Sequence, residues 1–344
     1  MDKIYLTEQK TEDEIDLREL ILVLWKKKLF IIFFFFAAAI LAGLYSMFIV
    51  KPVYHSRLNI IISMPGTYQT KYGDYVLPLT TNEQYINLIT GNNILARTIK
   101  DMGYENMTIE SLHSRISIET PETKTGTVQN SFNIKVAASN PQEAKDLAKI
   151  LFDNYYEFID LITVEGAVDY YINKYNVELA TLEVSLNSTR EILAKNEALL
   201  SQIPLTINQK EVMDEIIDSP TVSDYIIFEN VINPNYTEIE KDIIENKQTI
   251  INLENSMILY NRYLEELNTV KERIEEYKSS GKWDIVNDEF KSIAKTSVYL
   301  LSEPIAPSSK TSPNNLRNII IGAVLGGMIA VVIVITKEYW FISK

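Results

Sequence analysis

Apolar positions are concentrated in two uncharged runs, Leu29 to Val50 (LFIIFFFFAAAILAGLYSMFIV) and Asn318 to Thr336 (NIIIGAVLGGMIAVVIVIT). The first would span about 33 Å as a helix, enough for a hydrocarbon core of roughly 30 Å. Its Leu, Ile, Phe and Val residues favour insertion by on the order of −4 to −8 kcal/mol. Because acidic sequence precedes it and it exceeds the usual apolar stretch of a signal peptide, it is expected to remain as an anchor. Between the runs the chain alternates short strand patterns with long helical ones. Val53 to Met64 is β-branched and apolar, ended by Pro65-Gly66, and Ser114 to Glu119 and Ser131 to Ala137 alternate with period two. Asn82 to Met102 has helical spacing through Tyr85, Ile86, Ile89, Ile94, Leu95 and Ile99.

Ser139-Asn140-Pro141, with Glu143 in the first turn, opens a helical run that continues to about Leu200. Gly166 is its one interior glycine. A run this long either breaks near Gly166 or projects beyond a compact domain. Two short helix-like pieces are expected between Thr206 and Asn233, separated by Ser219-Pro220. Asn233-Pro234-Asn235 then starts a second long helix with a heptad through Tyr236, Ile239, Ile243, Asn246, Ile250, Leu253, Met257, Tyr260, Leu264, Leu267, Lys271 and Ile274. An antiparallel helical hairpin of roughly 60 Å follows. Ile244, Ile251, Ile258 and Tyr263 widen the apolar stripe beyond one seam, which predicts either packing on neighbouring copies or a monomeric bundle. Ser297 to Leu301 reads as a returning strand, and Pro304, Pro307 and Pro313 make the stretch after it an extended connector or a plain linker.

Charge sets the topology. Lys26, Lys27 and Lys28 abut the start of the first run and Lys51 alone follows its end, so both termini are expected in the cytoplasm with the centre outside. The expected organisation is a cytoplasmic segment 1–28, a first span 29–50, the first part of an exterior α/β base 51–140, long helices and hairpin 141–280, a returning strand and Pro-rich connector 281–316, a second span 317–336 and a short tail 337–344. The fold class is an α+β membrane protein in which two transmembrane helices flank a membrane-proximal base. Gly322 and Gly326 form a GxxxG, read either as a helix-association face or as ordinary membrane-helix glycine.

Of 344 residues, 33 are Lys or Arg and 46 are Asp or Glu, a formal charge of −13 that argues against nucleic-acid partners. With no cysteine and two histidines, a thiolate or His-rich metal site is not expected, and no Gly-rich phosphate loop occurs. His55 and His113 read as structural. A glycosidase carboxylate pair among Glu238, Glu240, Glu245 and Glu254 is weaker than solvated helix surface. No catalytic, cofactor-binding or metal-ligating residue is therefore assigned.

The order of features is similar to the Wzz-type chain-length determinants, or polysaccharide co-polymerases. Ile15-Asp16-Leu17 with Glu19-Leu20 and Trp25-Lys26 precedes the first span, a Tyr54 to Met64 strand follows it, Asn233-Pro234-Asn235-Tyr236 begins a long helix, and Pro304-Ile-Ala-Pro307 with Ser312-Pro313-Asn314 leads into the Gly-rich second span. The resemblance implies a ring-like homo-oligomer in the bacterial inner membrane. It implies partnership with a glycan polymerase and the growing polysaccharide (O antigen, capsule or exopolysaccharide), and regulation of chain length without catalysis. Pro304, Pro307, Ser312, Pro313, Gly322, Gly326, Asn233, Pro234 and Tyr236 are the motif residues it marks. Some relatives carry a fused tyrosine kinase; the tail Lys337 to Lys344 has no Walker motif, so the fused form is not expected. Docking of a separate kinase on that tail, and a membrane-sensor role, are the alternatives.

Overall fold

A computed structural model describes residues 17–119, 129–208, 230–280 and 290–338. The chain divides into two compact units: residues up to Ile62, Asn82–Tyr155 and the stretch from Tyr299 onward, and Ser63–Thr81 with Tyr156–Val298.

In the first unit, α1 (Leu17–Lys26) and α2 (Lys28–Phe48) are separated only by Lys27. β1 (Tyr54–Ile62) follows α2, and the last long helix spans Asn315–Thr336. Lys28–Phe48 and Asn315–Thr336 are both long and apolar enough to cross a membrane. A four-stranded sheet has the order β4-β5-β1-β8, with β4 at Ile116–Glu119, β5 at Ser131–Ala138 and β8 at Val298–Leu300. β1 and β5 are antiparallel, Leu58 opposite Ile134 and Ile60 opposite Phe132. Their alternation produces one apolar face, where Leu58, Ile60, Ile62, Phe132, Ile134 and Val136 are all buried. Buried side chains of three short helices, α3 (Asn82–Asn87), α4 (Asn92–Asp101) and α5 (Ile109–His113), complete this core with Ala144, Leu147, Ala148 and Leu151. The expected single helix over Asn82 to Met102 is divided: Leu88–Thr90 is a 3-10 turn and Gly91 is extended at ψ 145°. A Cβ on Gly91 would lie 2.9 Å from the Leu88 carbonyl oxygen, so the interruption needs glycine.

α6 runs from Pro141 to Leu200 without a break at Gly166. Its start is a reciprocal cap: Glu143 N–H donates to Asn140 Oδ1 (2.8 Å), and Ser139 N–H donates to the Glu143 carboxylate (3.2 Å). Within the second unit, α6 beyond Tyr155 pairs with α7 (Pro234–Ser280), and β2 (Thr67–Thr70) with β3 (Gly73–Val76) forms a hairpin that period-two reading passed over. That hairpin explains the helical glycine. A Cβ at Gly166 would come within 2.5 Å of Tyr75 Oη, so the missing side chain is the seat of a tyrosine and not a helix break. Gly73, at φ +127°, lies against Tyr171 in the same way.

The helix pair is antiparallel, and its register is marked by Arg190–Glu254 (2.7 Å), Lys247–Glu197 (2.9 Å), Lys271–Asp169 (2.7 Å) and Lys278–Glu165 (2.5 Å). Being exposed, these pairs contribute little energy. The seam follows the predicted heptad at Ile243, Leu267 and Ile274, all buried, and departs from it at Lys271, which points out to Asp169 while its neighbour Val270 is buried. The two helix-like pieces expected between Thr206 and Asn233 fall mostly outside the described residues; the described ends pair as a short ladder, Thr206–Ile207 with Val231–Ile232.

Candidate functional site

The motif residues fall at three junctions. At the mouth of the helical hairpin, Asn233 is buried and caps α7: its Oδ1 accepts from Asn235 N–H (3.1 Å), and Thr237 N–H donates to its carbonyl (3.2 Å). Pro234, at the first helical position, gives up no hydrogen bond there. The Asn233 amide then reaches the other helix's exit, with Nδ2 donating to Pro204 O (3.0 Å) and the backbone N–H to Leu205 O (2.9 Å). Tyr236 is half-buried one turn along the seam. This triplet starts a helix and ties it to the end of its partner.

At the second junction the proline-rich connector lies along the edge of β1. Leu301 N–H donates to Asn59 O (2.9 Å), Ser56 Oγ to Ile305 O (3.1 Å) and Thr311 N–H to Val53 O (2.8 Å), while Val53 N–H donates to Ser312 O (2.9 Å). Pro304 and Pro313 are buried and Pro307 is half-buried. Proline suits this edge because it leaves no donor unpaired where the ladder ends. The segment is a pinned, extended strip, which decides against the plain linker. Ser312-Pro313 is the one cis peptide among the described residues.

The third junction is between the two apolar helices. A Cβ at Gly322 would collide with the Ala42 methyl, and one at Gly326 with the Ala38 methyl and, at 2.8 Å, the Phe34 carbonyl oxygen. The GxxxG is thus occupied within the chain, with Ala38 and Ala42 as its small-residue partners. Above it, buried Ser46 donates to Asn315 Oδ1 (3.0 Å) and accepts from Asn318 Nδ2 (2.9 Å). Asn314 caps this helix, accepting from Arg317 N–H at 3.1 Å.

Two features of the second unit were not legible in the sequence. Tyr72, Tyr171, Tyr175, Tyr263 and Phe290 form a continuous ring cluster, with Tyr72 to Tyr263 at 5.2 Å and Tyr171 to Tyr175 at 6.0 Å. Tyr263 belongs to this cluster and not to an outward stripe. Asp160, almost fully buried, accepts from Ser292 Oγ (2.6 Å) and Ala294 N–H (2.9 Å), and burial pushes its carboxyl above the usual carboxylate range. Among the described residues no group of three His, Cys, Asp or Glu is placed to hold a metal ion.

Residues 13–102 match the family model Wzz, described as chain length determinant protein. The match covers this N-terminal segment alone. It takes in the first span, β1 and the helices up to Met102. Among solved structures, the chain is similar to a full-length bacterial polysaccharide co-polymerase at 15% identity, covering 96% of this chain and 99% of that one, with a TM-score of 0.42. It is also similar to the Shigella flexneri lipopolysaccharide O-antigen chain-length regulator WzzBSF, wild type, at 12% identity over 74% of this chain and 99% of that one, TM-score 0.31. A fragment of WzzB, a polysaccharide co-polymerase from Salmonella Typhimurium, aligns at 14% identity over 76% and 100%, TM-score 0.25. No curated protein matches the chain.

Proposed function

We propose that this protein regulates the chain length of a bacterial surface polysaccharide as a non-catalytic, homo-oligomeric co-polymerase of the inner membrane, acting beside a glycan polymerase. The observation that carries the reading is the Wzz match over the first span and the strand that leaves it. Both apolar helices supply the membrane attachment, and with Lys26, Lys27 and Lys28 at the cytoplasmic end the sheet and helical hairpin face outward.

Assembly is supported by apolar side chains left uncovered on the hairpin. Ile244, Ile251 and Ile258 on α7 are 63%, 50% and 60% exposed, and Val177, Val184, Ile192 and Leu199 on α6 are exposed as well. Spacing of seven or eight residues keeps each row on one side of its helix, as an intermolecular seam requires. Glycan length then follows from oligomer size and hairpin surface, with polymer residence on the assembly and not a catalytic residue setting the endpoint. Deleting the gene is expected to shift the length distribution of one surface polysaccharide on a gel while its sugar composition stays constant; an unchanged ladder for every surface glycan overturns the reading.

A further inference from the structure

The exterior is acidic, yet its two membrane-adjoining segments are not. Residues 49–58 carry Lys51 and Arg57, residues 304–318 carry Lys310 and Arg317, and neither segment has a carboxylate. The Val53–Ser312 bridge holds the two segments side by side within the first unit. All four cations are exposed. Among the described residues none of the four forms an ion pair; Lys310 makes only a 3.4 Å hydrogen bond to Asn315 Oδ1. Their neighbours fix their depth: Phe48, Ile49 and Leu316 are 78%, 65% and 69% exposed apolar residues at the helix ends, which places Lys51 and Arg317 at the edge of the hydrocarbon. Arg57 follows Lys51 by six residues, roughly 20 Å along extended chain, and marks the outer limit of the cationic strip.

Four uncompensated cations on the outer side oppose the charge bias that orients the spans, so insertion does not explain them. We infer that they form a collar binding the phosphates of anionic phospholipid headgroups in the outer leaflet. The inference rests on the outward topology of the proposed function. Arg57 lies opposite Lys135 in the β1–β5 ladder. Lys135 itself is paired with Glu119 and is left out of the collar.

The test uses the full chain in phosphatidylcholine vesicles containing spin-labelled phosphatidylglycerol or spin-labelled phosphatidylcholine, reading the fraction of lipid immobilised at the protein. The wild type is expected to prefer phosphatidylglycerol, and K51Q/R57Q/K310Q/R317Q is expected to lower that preference by about fivefold or more. The same drop is expected in a K26Q/K27Q/K28Q background, which removes the inner-side cations. An equal preference in wild type and quadruple variant, with matching circular dichroism, overturns the collar. Displacement of the labelled phosphatidylglycerol by trace isoprenyl diphosphate also overturns the phospholipid assignment, in favour of a diphosphate lipid. Topology is read separately: Ser308→Cys in this cysteine-free chain should react with an impermeant maleimide in intact cells, and its failure to do so overturns the outward reading whatever the lipid result.

Discussion

Asparagine begins each of the three long helices after the first. Asn140, Asn233 and Asn314 each accept a hydrogen bond from a first-turn N–H, and two of them are followed by proline. These starts were readable because a cap is a local interaction between residues two or three apart. Asp160 is the opposite case, since nothing near it in sequence shows that its carboxylate ties down a segment more than a hundred positions later. Asp160→Ala leaves the buried Ala294 N–H and the Ser292 hydroxyl without their acceptor and is expected to destabilise the second unit by about 1–3 kcal/mol, measured as a shift in denaturation midpoint. Asp160→Asn keeps an acceptor and tests the charge. With its folded pKa above the ordinary 3.8, Asp160 contributes most stability below that value and loses it as pH rises through the folded pKa. The wild-type midpoint should therefore fall more steeply with rising pH from about 4 than that of the Asn variant; parallel curves would remove Asp160 from the pH response.

Among elements, the helical hairpin was legible because an apolar position every three or four residues is a one-dimensional signal. The slip at Lys271 has a physical cause. At this turn the buried position is taken by Val270, and the lysine beside it is released to reach Asp169. The β2–β3 hairpin was not legible, since its four-residue strands are largely polar and its docking depends on absent atoms at Gly166 and Gly73. The apolar helix pair supplies the element-scale prediction. Ser46→Cys with Asn318→Cys should be joined readily by a short bifunctional thiol reagent, because the Ser46 and Asn318 side chains meet, Oγ to Nδ2 being 2.9 Å. Adding Gly322→Leu and Gly326→Leu should abolish that cross-link by forcing the backbones apart; an undiminished cross-link would deny the close glycine packing.

On the scale of the whole molecule, the outward apolar row on α7 stands uncovered among the described residues. Ile244→Glu, Ile251→Glu and Ile258→Glu together should leave the helical content unchanged, because these side chains support no contact inside the hairpin seam. Light scattering in detergent is expected to show a smaller oligomer, and the glycan ladder a shifted modal length. Retention of the wild-type mass would assign these residues to solvent and remove the assembly seam.

Periodicity, caps and apolar runs in the sequence alone determined the two bilayer-length helices, the half-buried strands and the antiparallel helix pair, because each depends on neighbours within a few residues. Tertiary structure decided between two readings at three places, each of which turned on a distant contact. Gly166 became a seat for Tyr75, the GxxxG was satisfied by Ala38 and Ala42 of the same chain, and the proline-rich stretch was bonded to β1. A glycine, a small-residue pair or a proline carries no mark of what will lie against it, so its meaning arises only when the chain brings that partner within van der Waals range.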